Sequence, residues 1–195
     1  MTGPADLGAA REQLDGLALK VGLARADQLP QATKAAAAPA GATLWASDYA
    51  RLLLWPCETS DAASIEASAR EGQAWFDDVL LQSERHGGDM PIDGYLVLAL
   101  PAAPGPEARE DVRRLELSAQ VCRKHLIWQS APDAPDHGEG RWRRVADVTV
   151  LGLPEAEEAP GAELQWPELD AEAQALWDQL ASIGVPATVI RDEAA

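Results

Sequence analysis

Three residues of this 195-residue chain occur in an order typical of metal-dependent nucleases. Asp93 precedes the apolar run 95–100, and Glu116 and Lys124 follow before the next apolar run. Such enzymes use acidic residues on neighbouring strands to hold a metal ion, with a lysine close by. Glu116 and Lys124 are eight residues apart, which is not the tight acid-x-lysine spacing of that site. A small metal-dependent nuclease or hydrolase that uses these residues therefore remains an alternative interpretation.

A second group with chemical potential is Cys122 and His125, which flank Arg123 and Lys124. Neighbouring cations lower the pKa of a thiol, and a histidine can serve as its base. The apolar residues around Cys122 instead favour a small buried side chain. We therefore predict no catalytic residue, and include His125 only in the alternative hydrolase interpretation.

Metal, cofactor and disulfide sites lack a matching residue pattern. The three histidines are far apart, and the two cysteines have no short-range pairing motif. A glycine-rich phosphate-binding loop with its lysine is also missing from the sequence. We predict that the protein has no metal ion, no cofactor and reduced cysteines, the last being typical of a cytoplasmic protein. No apolar run reaches the roughly 20 residues of a membrane-spanning helix.

The charge of the chain is strongly acidic, with 16 basic and 32 acidic side chains and a net charge of −16. Residues 113–144 form a basic island of seven basic and four acidic side chains, between acidic segments 61–112 and 145–195. A surface this acidic repels nucleic acid and anionic lipid, so we expect neither as a direct ligand of this chain. Arginine and tryptophan are favoured at protein interfaces. The predicted contact residues are therefore Arg123, Lys124, Arg141, Trp142, Arg143 and Arg144. The alternative is that the flanking acidic segments neutralise this island within the fold, with Arg123 and Lys124 paired to Glu116 and neighbouring acids.

The periodicity of apolar residues predicts interleaved helices and strands. Helical spacing is found at 5–23, 61–85, 107–121 and 168–183, and strand-like runs at 42–56, 95–101, 123–128 and 141–153. Residues 30–41 indicate a connector of small residues and prolines. This pattern predicts an α+β fold with a small mixed or antiparallel sheet of four or five strands and three or four helices.

Composition also suggests three parts of the chain. Residues 1–41 would form an N-terminal helix and connector, and residues 42–153 an α+β core. Residues 154–195 would form an acidic linker followed by a C-terminal helix packed on the core.

Two short motifs lie within the predicted core. The first is Asp93-Gly94-Tyr95-Leu96, which opens the apolar run, and the second is an acidic stretch with Glu116 that leads into Cys122-Arg123-Lys124. With the strands at 42–56 and the helix at 61–85, residues 42–153 resemble the middle-component proteins of bacterial ABC-ATPase three-component conflict systems. In that resemblance Asp93, Gly94, Tyr95, Glu116 and Cys122 are structural motif residues.

The resemblance implies a non-catalytic adaptor in a bacterial defence complex. It would join an SMC/Rad50-like ABC ATPase to an effector such as a nuclease, within a hetero-oligomer. A third interpretation is an acidic decoy or immunity-type protein that covers a basic partner surface, although charge mimicry does not account for seven tryptophans.

Overall fold

The computed structural model describes residues 7–86, 91–130 and 142–148, together with residues 174, 175, 177 and 178. The chain divides into two compact units, Met1–Glu155 and Ala156–Ala195. In the second unit the four described residues are helical, and the Gln174 side-chain amide donates a hydrogen bond of 2.9 Å to Asp178. The rest of the helix predicted at 168–183 lies outside the described residues.

The described part of the first unit is a six-stranded mixed sheet with three helices. The strands lie in the sheet in chain order, with β3, β4 and β5 parallel and the remaining pairs antiparallel. The elements are α1 Leu7–Lys20, β1 Ala24–Arg25, β2 Thr43–Ala46, β3 Ala50–Pro56, α2 Ala62–His86, β4 Asp93–Leu100, α3 Arg109–Leu117, β5 Arg123–Gln129 and β6 Trp142–Arg143.

This arrangement confirms the predicted α+β class with a mixed sheet. The sheet has six strands rather than four or five, because it also includes β1, a two-residue strand at one edge. Such short strands have no alternation that a sequence pattern could reveal. Within the described residues, no helix has both the length and the apolar character needed to cross a membrane.

The predicted strand at 141–153 does not continue through its described part. After β6, Arg144 adopts a left-handed conformation with φ 64°, and a single 3-10 turn follows at Val145–Asp147. A residue with positive φ breaks the extended backbone, so the ladder with β5 ends there. Residues 149–153 lie outside the described residues.

The sheet has an apolar core on each face. On β4, Tyr95 and Val97 pack with α1, whereas Leu96 and Leu98 pack with α2. Successive side chains of a strand point to opposite faces, so an unbroken apolar run needs cover on both sides. The run at 95–100 is accordingly the central buried strand of the sheet.

Gly94 allows α2 to pack closely on the start of β4. A Cβ atom at this position would lie 2.7 Å from Leu80 Cδ1 and 3.0 Å from Cys122 Cβ. Both neighbours belong to the buried core on the α2 face. A side chain there therefore requires the Leu80 side chain or the turn before β5 to move.

We expect Gly94→Ala to lower the free energy of unfolding by about 1–3 kcal/mol, because overpacked cores resist extra methyl groups. The matched control is Gly16→Ala on the exposed side of α1, where a Cβ would meet nothing within 4 Å. That change should raise stability by up to about 1 kcal/mol, since alanine favours helix over glycine. Urea unfolding of both variants measures the contrast, and an unchanged Gly94→Ala midpoint would contradict close packing at this site.

The segment between β1 and β2, residues 26–42, forms a strap over the core on the α2 face. Its side chains Leu29, Ala32 and Ala35 are partly buried against that core. Asp78 of α2 accepts hydrogen bonds from the backbone N–H groups of Thr33 and Lys34, the latter at 2.9 Å. The Thr33 hydroxyl donates to the same carboxylate at 3.0 Å. The connector predicted at 30–41 is therefore tied to α2.

These hydrogen bonds, with that from the Lys34 N–H the largest influence, lower the pKa of Asp78 to about 2. In the unfolded chain an aspartate has an ordinary pKa near 3.9. Above that pH, the hydrogen bonds of Asp78 contribute their full stabilisation to the fold. This contribution is lost as pH falls from about 4 towards 2. We expect Asp78→Asn to lower the thermal midpoint at neutral pH and to make the acid-induced loss of stability shallower.

Thermal unfolding followed by circular dichroism between pH 7 and pH 2 tests this prediction. Asp77→Asn is the control, because Asp77 is the exposed neighbour on the same helix. It should keep the acid profile of the unmodified protein. If Asp78→Asn also kept that profile, the strap would not depend on the charged carboxylate.

Candidate functional site

The two sequence motifs lie side by side at the amino-terminal ends of β4 and β5. The parallel register pairs Tyr95 with Arg123 and Leu96 with Lys124. Alternation along the strands then separates the motif side chains by face. Gly94, Cys122 and Lys124 lie on the α2 face, and Tyr95 and Arg123 lie on the α1 face.

On the α2 face, Lys124 is an interior residue with 2% of its surface exposed. Its ammonium group donates to the carbonyl oxygens of Ser118, Gln120 and Cys122 at 3.2, 2.8 and 3.1 Å. Burial lowers the pKa of Lys124. The lysine closes the turn between α3 and β5, where Val121 has the unusual φ of 64°.

Cys122 is buried beside Lys124. Burial raises the pKa of its thiol to about 11, more than the nearby lysine lowers it. Cys57 is also buried, and its pKa is likewise raised to about 11. Strand alternation places Cys122 and His125 on opposite faces of the sheet, so they do not form the thiol–imidazole pair of a cysteine nucleophile.

On the α1 face, Tyr95, Asp93 and Arg123 interact. The Arg123 guanidinium lies 5.7 Å from the centre of the Tyr95 ring, a cation–π contact. The Asp93 carboxylate lies near the Tyr95 hydroxyl, and burial, followed by the charge of Asp93, raises the pKa of Tyr95. Arg123 and Asp93 are exposed. This end of the sheet thus presents a charged patch made by residues of both motifs.

Glu116 and Arg144 form a bidentate ion pair at the free edge of β5. Arg144 Nη1 lies 2.9 Å from Glu116 Oε1, and Nη2 lies 3.2 Å from Oε2. Glu116 Oε1 also accepts the backbone N–H of Leu126 at 3.1 Å, and Arg144 Nη1 donates to the Leu126 carbonyl at 3.4 Å. The Arg144 guanidinium lies over the Trp128 ring, 5.4 Å from its centre. Beyond the end of β6, side chains therefore provide hydrogen-bond partners for the backbone groups at the edge of β5.

The predicted contact residues are divided between surface and interior. Arg123 and Arg143 are exposed. Trp142, with 5% of its surface exposed, lies in the core on the α1 face, and Lys124 is interior, so neither stands where a contact residue would have to lie. Arg144 is half-buried in its ion pair with Glu116. Arg141 lies outside the described residues.

The residues of the nuclease alternative do not come together in one site. Glu116 is engaged by Arg144, and the Lys124 ammonium faces backbone carbonyls on the α2 side. The Asp93 carboxylate lies with Tyr95 on the α1 side. Among the residues that the structure describes, no group of three histidine, cysteine or acidic side chains could hold a metal ion.

Sequence reasoning missed the pairing of Glu116 with Arg144 and the role of Asp78. The two members of the ion pair are 28 residues apart, and Asp78 meets a segment 45 residues before it. Single-sequence periodicity reports only neighbours within an element, so no local signal marks these contacts.

Comparison with protein-family models, with curated proteins and with solved structures gave no match to this chain.

Proposed function

We propose that this protein is a non-catalytic adaptor subunit of a bacterial defence complex, which joins an SMC-like ABC ATPase to an effector such as a nuclease. The observation that carries the proposal is the convergence of the two family-like motifs on adjacent parallel strands. Their interior members, Gly94, Cys122 and Lys124, hold α2, β4 and the turn before β5 together. This arrangement supports a role for the motif residues in stabilising a fold whose surface contacts a partner.

The proposed contact surface is the charged patch of Asp93 and Arg123, at the amino-terminal ends of β4 and β5. Both residues are exposed, Arg123 has a cation–π contact with Tyr95, and Asp93 lies near the Tyr95 hydroxyl. Charged groups fixed on a rigid sheet select partners by complementary charge and raise the association rate. Arg143, exposed on β6, is a second contact candidate within the basic island.

The experiment is affinity purification of the tagged protein co-expressed with the products of its neighbouring genes, with the mass of the recovered complex measured. The proposal expects a coiled-coil ATPase and an effector in fixed ratio. Arg123→Glu should reduce their recovery by at least about tenfold, since reversing a contact charge replaces attraction by repulsion. The control Arg109→Glu reverses an exposed arginine outside the basic island and should leave recovery unchanged.

Two outcomes would contradict the proposal. One is recovery of this protein alone, although the neighbouring proteins are expressed and folded. The other is turnover of nucleic acid by the isolated protein with divalent metal, abolished by Glu116→Gln in a variant that remains folded, which would favour the nuclease alternative.

A further inference from the structure

A pocket of about 720 Å³ opens where β3 and β4 begin, beside the carboxyl-terminal half of α2. Its volume is within the range of small-molecule sites. Val79 and Ile92 contribute apolar wall, and Ser83 adds a hydroxyl group. Asp48 and Arg51 place opposite charges on the same pocket. The proposed adaptor role assigns no function to this site, and ligand binding in the pocket would be independent of that role.

Arg51 is a fixed cation in the pocket. Its Nη1 donates to the backbone carbonyls of Ser47 and Ala50, which hold the guanidinium in one position. Burial lowers the pKa of Arg51, and Asp48 opposes that effect by its charge. In the described part of the chain no carboxylate forms an ion pair with Arg51.

This situation differs from that of three other arginines. Arg70 and Arg114 lie close to carboxylates on their own helices, and Arg144 has a bidentate partner. A partly desolvated guanidinium without a direct ion pair has unused donors in a planar fork that fits a carboxylate. Arg51 therefore has the chemistry of a carboxylate-binding residue.

Asp48 supplies the complementary charge. It lines the same pocket and attracts Arg51 by its charge, without forming a direct ion pair with it. A ligand with a carboxylate and an ammonium group fits both charges. The apolar side chains Val79 and Ile92 can then cover an apolar side chain of the ligand.

We infer that this pocket binds a free α-amino acid with an apolar side chain, its carboxylate on Arg51 and its ammonium group on Asp48. Nucleotides and other multiply charged anions are disfavoured, because one arginine must offset both the Asp48 charge and a net charge of −16. A peptide chain end is also a poor fit, since it carries one of the two charges rather than both.

The test is titration of the full protein with L-phenylalanine, followed by ¹H–¹⁵N NMR. Two matched probes are L-phenylalaninamide, which lacks the carboxylate, and 3-phenylpropionate, which lacks the ammonium group. We expect L-phenylalanine to shift the amide signals of Arg51, Val79 and Ser83. Each matched probe should bind at least about tenfold more weakly, because charge-assisted hydrogen bonds are the strong ones.

Variants distinguish binding in the pocket from non-specific binding. Arg51→Gln should weaken the binding of L-phenylalanine by at least about tenfold. Arg70→Gln, on the exposed side of α2, should leave this binding unchanged. If Arg51→Gln does not fold, Ser83→Trp fills the pocket and leaves Arg51 in place, and it should abolish binding. Equal binding of the three probes, no shift at these amides, or binding that survives Ser83→Trp would overturn the inference.

Discussion

Replacing Lys124 with methionine is expected to lower the free energy of unfolding by about 2–4 kcal/mol. Methionine keeps the length of the buried stem but removes the ammonium group. The carbonyls of Ser118, Gln120 and Cys122 then lose their shared donor. Hydrogen bonds to charged groups contribute about 1.5–3 kcal/mol each, and water at the exposed Gln120 offsets part of the loss.

Chemical denaturation measures this loss, and NMR amide shifts at residues 118–124 report whether the turn changes. The matched control is Arg123→Met, which removes the exposed cation one residue earlier. Its cation–π contact with Tyr95 limits the expected cost to about 1 kcal/mol or less. Equal losses in the two variants would show that the Lys124 ammonium does not hold the turn.

The second large effect is expected at the ion pair of Glu116 and Arg144. Glu116→Ala should cost about 2–3 kcal/mol, because Arg144 loses a bidentate partner and the Leu126 N–H loses its acceptor. Arg144→Ala should cost a similar amount, since it also uncovers the ring of Trp128. In the double variant the losses should overlap, with a coupling energy of about 1–2 kcal/mol.

A double-mutant cycle by urea unfolding measures this coupling. The cycle of Glu66 and Arg70 on α2 is the control, since that pair is also close, at 2.7 Å, but about three quarters of each side chain is exposed. Exposed pairs on one helix contribute about 0.5 kcal/mol or less. If the coupling energy of Glu116 and Arg144 were no larger than that of the control pair, this ion pair would not stabilise the edge of β5.

Several elements could be predicted because their information is local. The helical spacing at 61–85 corresponds to α2, and the unbroken run at 95–101 corresponds to the buried strand β4. The strand-like run at 42–56 corresponds to β2 and β3. In each case the apolar pattern within one segment dictates the face that must be covered.

The predicted contact residues show where local information ends. A run of basic residues suggests a solvated surface, yet the Lys124 side chain is buried on the α2 face of the sheet, while the Arg123 side chain is exposed on the α1 face. Strand alternation requires one of two adjacent residues to face the core on the α2 side. The carbonyls of the preceding turn make that position tolerable for a lysine, and their arrangement depends on the positive φ of Val121.

The sequence by itself determined the α+β class, the long helix, the central strand and the acidic surface. The tertiary structure alone decided that the two motifs lie on neighbouring strands, that Glu116 meets Arg144, and that Asp48 and Arg51 share a pocket. Periodicity states which side of an element must be buried, but not which distant element buries it. That choice depends on strand register and helix docking, which bring together groups far apart in the chain.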